Sequence, residues 1–139
     1  MLFRSLAREA LRAGAERVVA IGGDGTINEV VNGFFDAGTP IAPDASFALI
    51  PFGTGGDFRR SVEIPLELAD AAAVIAANKR KRIDVGRLEL TRSDGTHAVR
   101  MFANIASFGV SGVVDRLVNE SGKKLGRLSF ALEIGRAHV

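Results

Sequence analysis

Runs of apolar and polar residues alternate along the chain in a way that predicts alternating helices and strands. Short apolar runs at 18–21 and 47–50 have the length and the β-branched or aromatic content of buried strands. From about Thr26 to Asp36, apolar residues recur at the spacing of a helix with one buried face: Ile27, Val30, Val31 and Phe34. Helical patterns also cover 6–13 and 66–78. The order helix, strand, helix, strand, helix predicts an α/β domain with a parallel sheet.

The pattern changes after residue 82. Segments 83–90 and 97–105 are typical of strands, and the Asp94-Gly95 pair between them is a signal for a hairpin. A further helix is predicted at 107–119. The chain therefore combines a parallel sheet with the start of an antiparallel, β-rich region.

Composition narrows the chemistry that the chain can perform. It has 139 residues, enough for a small domain with a core, and 47% of them are hydrophobic. It has no Cys and two His, which excludes thiolate zinc sites and disfavours multi-histidine metal sites. The net charge of +2 is too small to favour nucleic acid as a partner, and the basic run at 79–82 is expected to be a solvated helix end. No membrane-spanning run or signal peptide is visible, which predicts a cytoplasmic protein.

Two glycine-rich segments follow the two predicted strands. They are "GGDGT" at 22–26 and "GTGGD" at 53–57. In a parallel sheet both would lie at the carboxyl edge, where such folds bind ligands. Glycine lets an anion approach the free amides of a helix N-terminus, so the two turns predict a polyphosphate cradle. Asp24 and Asp57 could serve Mg²⁺, directly or through water, or could equally be loop or cap residues.

A purely structural interpretation of the first turn also exists. Thr26 and Glu29 fit a capping box, which would make the segment a tight turn before a well-capped helix. Two common nucleotide motifs are excluded. A dinucleotide fingerprint would need Gly where the chain has Asn28, and no P-loop sequence is present.

Longer motifs carry a resemblance to a known family. "GGDGTINEVVNG" at 22–33 followed by "PFGTGGDF" at 51–58 resembles the diacylglycerol kinase catalytic domain family, which includes bacterial lipid kinases and sphingosine kinases. "RIDVGRL" at 82–88 and "FANIASFGVSGVV" at 102–114 match as well. The resemblance runs from about Val18 to Leu132. NAD kinases share only the GGDGT core.

The resemblance implies a fold of two domains with Mg²⁺ and ATP bound between them. Residues 6–82 would form the α/β nucleotide-binding domain of the NAD kinase and diacylglycerol kinase type, without its first strand. Residues 83–132 would be the truncated start of the β-rich domain. Residues 1–5 and 133–139 resemble translated sequencing adapter and are expected to be foreign to the fold.

Site residues are carried over by motif. The resemblance implies a nucleotide site lined by Gly22, Gly23, Asp24, Gly25, Thr26, Asn28, Glu29 and Thr54. Asp24 is the expected catalytic acid, tied to phosphate and Mg²⁺. Where the family pattern G-T-x-N-D has Asn, this chain has Gly56, whereas Asp57 is retained. The general base is expected beyond Leu132.

The expected function is that of an ATP-dependent lipid kinase. It would transfer the γ-phosphate of ATP to a lipid hydroxyl at the membrane surface, with diacylglycerol as the first candidate and only peripheral membrane contact. The chain as it stands is expected to be inactive. Two alternatives remain open. One is an NAD kinase-like enzyme, and the other is a non-catalytic nucleotide-binding regulatory module, which Gly56 favours.

Overall fold

Four helices and six strands make up the part of the chain that the structure, a computed structural model, describes: residues 2–53 and 56–104. In chain order they are α1 (Leu2–Arg12), β1 (Arg17–Gly22), α2 (Asp24–Gly33), β2 (Phe35–Asp36), β3 (Thr39–Pro40), β4 (Ser46–Pro51), α3 (Asp57–Ser61), α4 (Leu68–Ala76), β5 (Gly86–Thr91) and β6 (His97–Phe102). The predicted helices and strands occur in the predicted order, whereas the short elements β2, β3 and α3 were not predicted. The helix predicted at 107–119 lies outside the described residues.

Strands β1 and β4 form the parallel pair that the sequence predicts. They are in register from Arg17 opposite Ser46 to Gly22 opposite Pro51. One further bond continues the pairing beyond the strands, because the Phe52 amide donates to the Gly22 carbonyl at 3.0 Å. Both strands therefore end at the same edge, and the two glycine turns begin there side by side.

The core lies where α1 and α2 cover one face of this sheet. Its buried members are Ala7, Ala20, Ile27, Val30, Val31, Leu49, Phe58 and Met101. Three aromatic rings extend it, since Phe47 meets Phe34 and Phe58 edge to face with ring centroids 6.4 and 5.9 Å apart. This packing anchors Phe58, and with it the start of α3, close to the carboxyl edge of the sheet.

Helix α2 begins earlier than the sequence predicts, and the capping box is wrong. The helix starts at Asp24, so Thr26 is its third residue rather than its cap, and the cap position belongs to Gly23 without a side-chain bond. Glu29 accepts a hydrogen bond from the Phe3 amide of α1 at 3.2 Å through Oε2. The Glu29 carboxylate therefore bonds to a neighbouring helix instead of capping its own helix.

The hairpin predicted around Asp94-Gly95 is confirmed by the antiparallel pairing of β5 with β6. Asp94 Oδ1 accepts bonds from Thr96 Oγ1 at 2.6 Å and from the Thr96 amide at 2.9 Å. These two bonds lower the pKa of the Asp94 carboxyl. Gly95 supplies the positive φ of +80° that the turn requires. The hairpin belongs to the same compact unit as the parallel sheet, Met1–Asn104. The domain boundary at residue 82 stays a prediction.

No described helix has the length and apolar character needed to span a membrane.

Asn32 joins the hairpin to α2. Its side chain, in a residue only 8% exposed, donates through Nδ2 to the Met101 carbonyl at 2.7 Å. Its Oδ1 accepts from the Met101 amide at 2.9 Å. The side-chain amide thus pairs with both backbone groups of one strand residue, as a neighbouring strand would.

We predict that Asn32→Ala destabilises the fold because it leaves both Met101 backbone groups buried without a partner. The expected loss in the free energy of unfolding is about 2–6 kcal/mol, since each of the two groups costs about 1–3 kcal/mol. Urea denaturation followed by circular dichroism measures it. Asn28→Ala is the matched control, because it makes the same change at an exposed position of α2. Equal losses in the two variants would contradict the role given to Asn32.

Candidate functional site

Two turns meet at the carboxyl edge of the parallel pair. The first turn is residues 22–26 and the second is residues 53–57, of which 54 and 55, and so the predicted site residue Thr54, lie outside the described residues. A Cβ built on Gly53 would lie 3.4 Å from Gly23 Cα, and one built on Gly23 would lie 3.7 Å from the Phe52 carbonyl oxygen. The backbones of the two turns are therefore in direct contact.

The cleft between the turns is nearly closed. Its lining comes from both turns and from Ile27, Leu49, Pro51, Phe52, Arg59 and Leu66. Its volume is about 10 Å³. That is the room of about one water molecule. Between the described residues of the two turns there is therefore no room for a phosphate group, which leaves the outer side of the turns for one.

The Asp24 side chain fills this seam. Its Oδ2 accepts a hydrogen bond from the Gly56 amide at 2.9 Å, and its Oδ1 accepts one from the Phe58 amide at 3.3 Å. Of the two roles that the sequence left open for Asp24, metal service or capping, these contacts are those of a cap. The cap acts on another helix, since the two amides belong to the start of α3.

The glycines of the first turn differ in what surrounds them. A Cβ on Gly22 would lie 2.5 Å from Thr26 Oγ1 and 2.7 Å from Thr26 Cβ, so Gly22 makes room for the Thr26 side chain. A Cβ on Gly25 would meet no atom of the described residues within 4 Å outside its own helix. Packing therefore requires glycine at 22 and leaves the space over Gly25 open.

The start of α2 offers backbone donors on that open side. The first bond within the helix runs from the Ile27 amide to the Gly23 carbonyl at 3.0 Å. The three earlier amides, those of Asp24, Gly25 and Thr26, have no acceptor within the helix. Together with the helix dipole, they make this end of α2 favourable for an anion.

The described residues do not gather a metal centre of their own. No group of three or more His, Cys, Asp or Glu side chains is close enough among them to hold a metal ion. The Asp57 carboxylate forms an ion pair with Arg60 and is 58% exposed. Mg²⁺ needs few protein ligands when nucleotide phosphates supply the others, so the residues present fit a metal that arrives with its nucleotide.

The structure places the other predicted site residues along α2. The Thr26 side chain packs on Gly22 at the turn. Asn28 Oδ1 accepts from Asn32 Nδ2 at 3.3 Å, and Glu29 bonds to α1. The side chains of Asn28 and Glu29 therefore have partners outside the two turns. Gly53 and Phe58 also belong to the site, and neither is predicted from the sequence, although both stand in the "PFGTGGDF" motif.

Comparison with known proteins decides the family. The model of the diacylglycerol kinase catalytic domain matches residues 2–88, which is more than half of the chain. The chain belongs to the diacylglycerol kinase catalytic domain family. This membership confirms the resemblance carried by the glycine motifs, and it favours the lipid kinases over the NAD kinases.

Relatives in this family carry lipid kinase names. A protein of Xanthomonas oryzae pv. oryzae named "Probable lipid kinase YegS-like" is 35% identical over 125 residues, which is 89% of this chain and 39% of that protein. A protein of Pseudomonas aeruginosa with the same name is 35% identical over 130 residues, 93% of this chain and 38% of that protein. The chain thus spans about two fifths of the length of these curated relatives.

Solved structures similar to part of this chain include the following one. It is described as "A putative diacylglycerol kinase from Bacillus anthracis str. Sterne", and it is 28% identical, with a TM-score of 0.47 over 68% of this chain and 29% of that chain.

We predict opposite effects on stability for the same substitution at two glycines of the first turn. Gly22→Ala should lower the free energy of unfolding by about 1–3 kcal/mol, because the methyl group overlaps a stiff β-branched side chain. Gly25→Ala should be neutral or should stabilise by up to about 1 kcal/mol, because alanine favours a helix. Thermal and urea unfolding measure both. A loss at Gly25 as large as that at Gly22 would contradict the difference in packing.

Proposed function

We propose that this chain binds Mg·ATP with the nucleotide's phosphates over Gly25, at the N-terminus of α2. The γ-phosphate would then pass to a lipid hydroxyl, in a protein that contains a lipid-binding site as well as this nucleotide site. Diacylglycerol is the first candidate for the lipid substrate. Membership in the family supports kinase chemistry on lipids. The lipid substrate implies that this protein contacts the membrane surface.

The open space over Gly25 is the observation that carries the nucleotide site. Glycine inside a helix costs up to about 1 kcal/mol relative to alanine. Gly25 is the second residue of α2, and its surroundings would admit a methyl group. Neither packing among the described residues nor backbone conformation requires glycine at this position. Glycine is expected, however, where a ligand must approach the backbone closely. The free amides on either side of Gly25 make a phosphate the fitting ligand.

The residues of the chain would bind and orient the nucleotide rather than take part covalently. Phosphoryl transfer depends mainly on positioning and charge neutralisation. Bound Mg·ATP would supply the phosphoryl group and the metal. The first-turn amides would hold phosphate oxygens, with Gly22, Gly23 and Thr26 shaping the backbone that presents them. Asp24 remains our candidate for the acid on which turnover depends. It would act indirectly, because its hydrogen bonds to α3 fix the backbone geometry of the two turns.

A regulatory module without catalysis is the second candidate, and Gly56 favours it. Gly56 has a φ of +121°, a conformation that disfavours the Asn of the family pattern. The backbone conformation at Gly56 therefore accounts for the absence of the Asn side-chain amide from the second turn. A module of this kind would bind ATP without passing phosphate to any lipid.

We predict that Gly25→Ala weakens ATP binding while the fold keeps its stability. The methyl group would occupy the space of a phosphate oxygen, and losing one bond to a charged group raises the dissociation constant roughly tenfold or more. Isothermal titration calorimetry with Mg·ATP measures the affinity, and thermal unfolding measures the stability.

Gly14→Ala is the matched control for that experiment. Gly14 follows α1, away from the glycine turns, and its φ of +91° strains any side chain although no atom crowds it. The control should lose stability and keep the ATP affinity, the reverse of Gly25→Ala. Unchanged ATP affinity in Gly25→Ala would refute the phosphate site.

Transfer itself is measured with labelled ATP and vesicles that contain diacylglycerol, on the protein that the complete gene encodes. Label in the lipid fraction supports the kinase. ATP binding without label in diacylglycerol or in other lipid alcohols supports the regulatory module.

A further inference from the structure

We propose that Asp24 is a positioning residue, which joins the two glycine turns through backbone hydrogen bonds and shapes the phosphate site without coordinating the metal. This inference rests on the proposed function, since it assigns a role within the same nucleotide site. It differs from the metal-handling role that the resemblance implies for this acid. The hydrogen bonds of Asp24 to the Gly56 and Phe58 amides are the observations that support this inference.

The first step is that α3 takes its cap from Asp24. The cap position of α3 is Gly56, which has no side chain, and no cap bond comes from that residue. A helix start leaves amides without acceptors within the helix. Asp24 accepts from the Gly56 and Phe58 amides, across 32 and 34 residues of sequence. A carboxylate in this position resembles an Asp N-cap, which typically stabilises a helix start.

The second step is that the seam, between its described residues, is too narrow for a metal ion with its shell. The cleft that Asp24 lines has a volume of about 10 Å³. Mg²⁺ holds its six ligands at about 2.0–2.1 Å and keeps several waters. Each carboxylate oxygen keeps a lone pair besides the one that its amide occupies, so the narrowness of the seam, rather than the two bonds, keeps a hydrated metal from Asp24.

The third step connects Asp24 to the core. Phe58, whose amide it accepts, is only 3% exposed and packs edge to face against Phe47 of β4. Asp24 itself is the first residue of α2, next to the open space over Gly25. The bond to Phe58 therefore ties the phosphate-facing end of α2 to a fixed point in the core, and this sets where the free amides of α2 lie.

The direct test detects the bonds in the unaltered chain by nuclear magnetic resonance. Scalar coupling across a hydrogen bond should connect the Gly56 amide nitrogen to the side-chain carboxyl carbon of Asp24. The coupling should persist when Mg·ATP is added. Its absence from the free chain would overturn the inference. Its disappearance on addition of Mg·ATP would do so too, because Asp24 would then no longer join the two turns in the nucleotide complex.

A substitution tests the consequence for binding. Asp24→Asn keeps the shape and one acceptor oxygen but turns an NH₂ group toward a backbone donor. Hydrogen exchange at Gly56 and Phe58 should become faster, and ATP affinity should fall roughly tenfold. Excess Mg²⁺ should not restore that affinity. Full recovery at high Mg²⁺ would identify Asp24 as a metal ligand and overturn the proposal, as would exchange rates and ATP affinity equal to those of the unaltered chain.

Asp70→Asn is the control for the loss of one negative charge. Asp70 is exposed on α4, which contributes no residue to the two turns. The control should leave amide exchange at Gly56 and ATP affinity unchanged. If Asp24→Asn does not fold, the coupling in the unaltered chain still decides the question.

The two proposals fail in different ways. An unaltered chain that binds no ATP refutes the proposed function, whereas the coupling between Gly56 and Asp24 is read without nucleotide. A chain that binds ATP and loses affinity in Gly25→Ala, but shows no such coupling, keeps the proposed function and refutes the role given to Asp24.

Discussion

The parallel pairing of β1 with β4 is the constraint on which the candidate site depends. Parallel strands end at the same edge, so segments about 30 residues apart in sequence leave the sheet side by side. The bond from the Phe52 amide to the Gly22 carbonyl extends the pairing into the turns and brings their backbones into contact. A shift in the register would move one turn along the edge and separate Asp24 from the amides of α3.

The glycines of the two turns differ in whether the described structure requires them. Gly22 leaves space for Thr26, and Gly53 and Gly56 adopt φ values of +150° and +121° that side chains disfavour. Gly25 has neither reason, because it lies in a helix with open space beside it. Structural requirements therefore account for three of these four glycines, and the fourth is the one that points to a ligand.

Charge at the site follows the same geometry. A carboxylate beside a phosphate site would repel the anion if it faced the phosphate freely. Asp24 instead accepts two backbone hydrogen bonds in a narrow seam, from the Gly56 and Phe58 amides. The amides at the start of α2 remain for the ligand. The arrangement thus separates the acid that organises the turns from the donors that face outward.

The sequence by itself determined the longer helices and strands in their order, the parallel sheet and the hairpin, because periodicity and turn chemistry are local properties. Its glycine motifs indicated the family. The sequence also located the two glycine turns at one edge, since strand order and parallel pairing suffice for that. Only the tertiary structure decided the start of α2 and the partners of Asp24 and Glu29. Local motifs predicted a capping box at Thr26, yet Glu29 bonds to α1, and Asp24 bonds to amides more than 30 residues away. Side-chain oxygens take whichever donors the packed chain brings within hydrogen-bond distance, and sequence spacing does not encode that proximity.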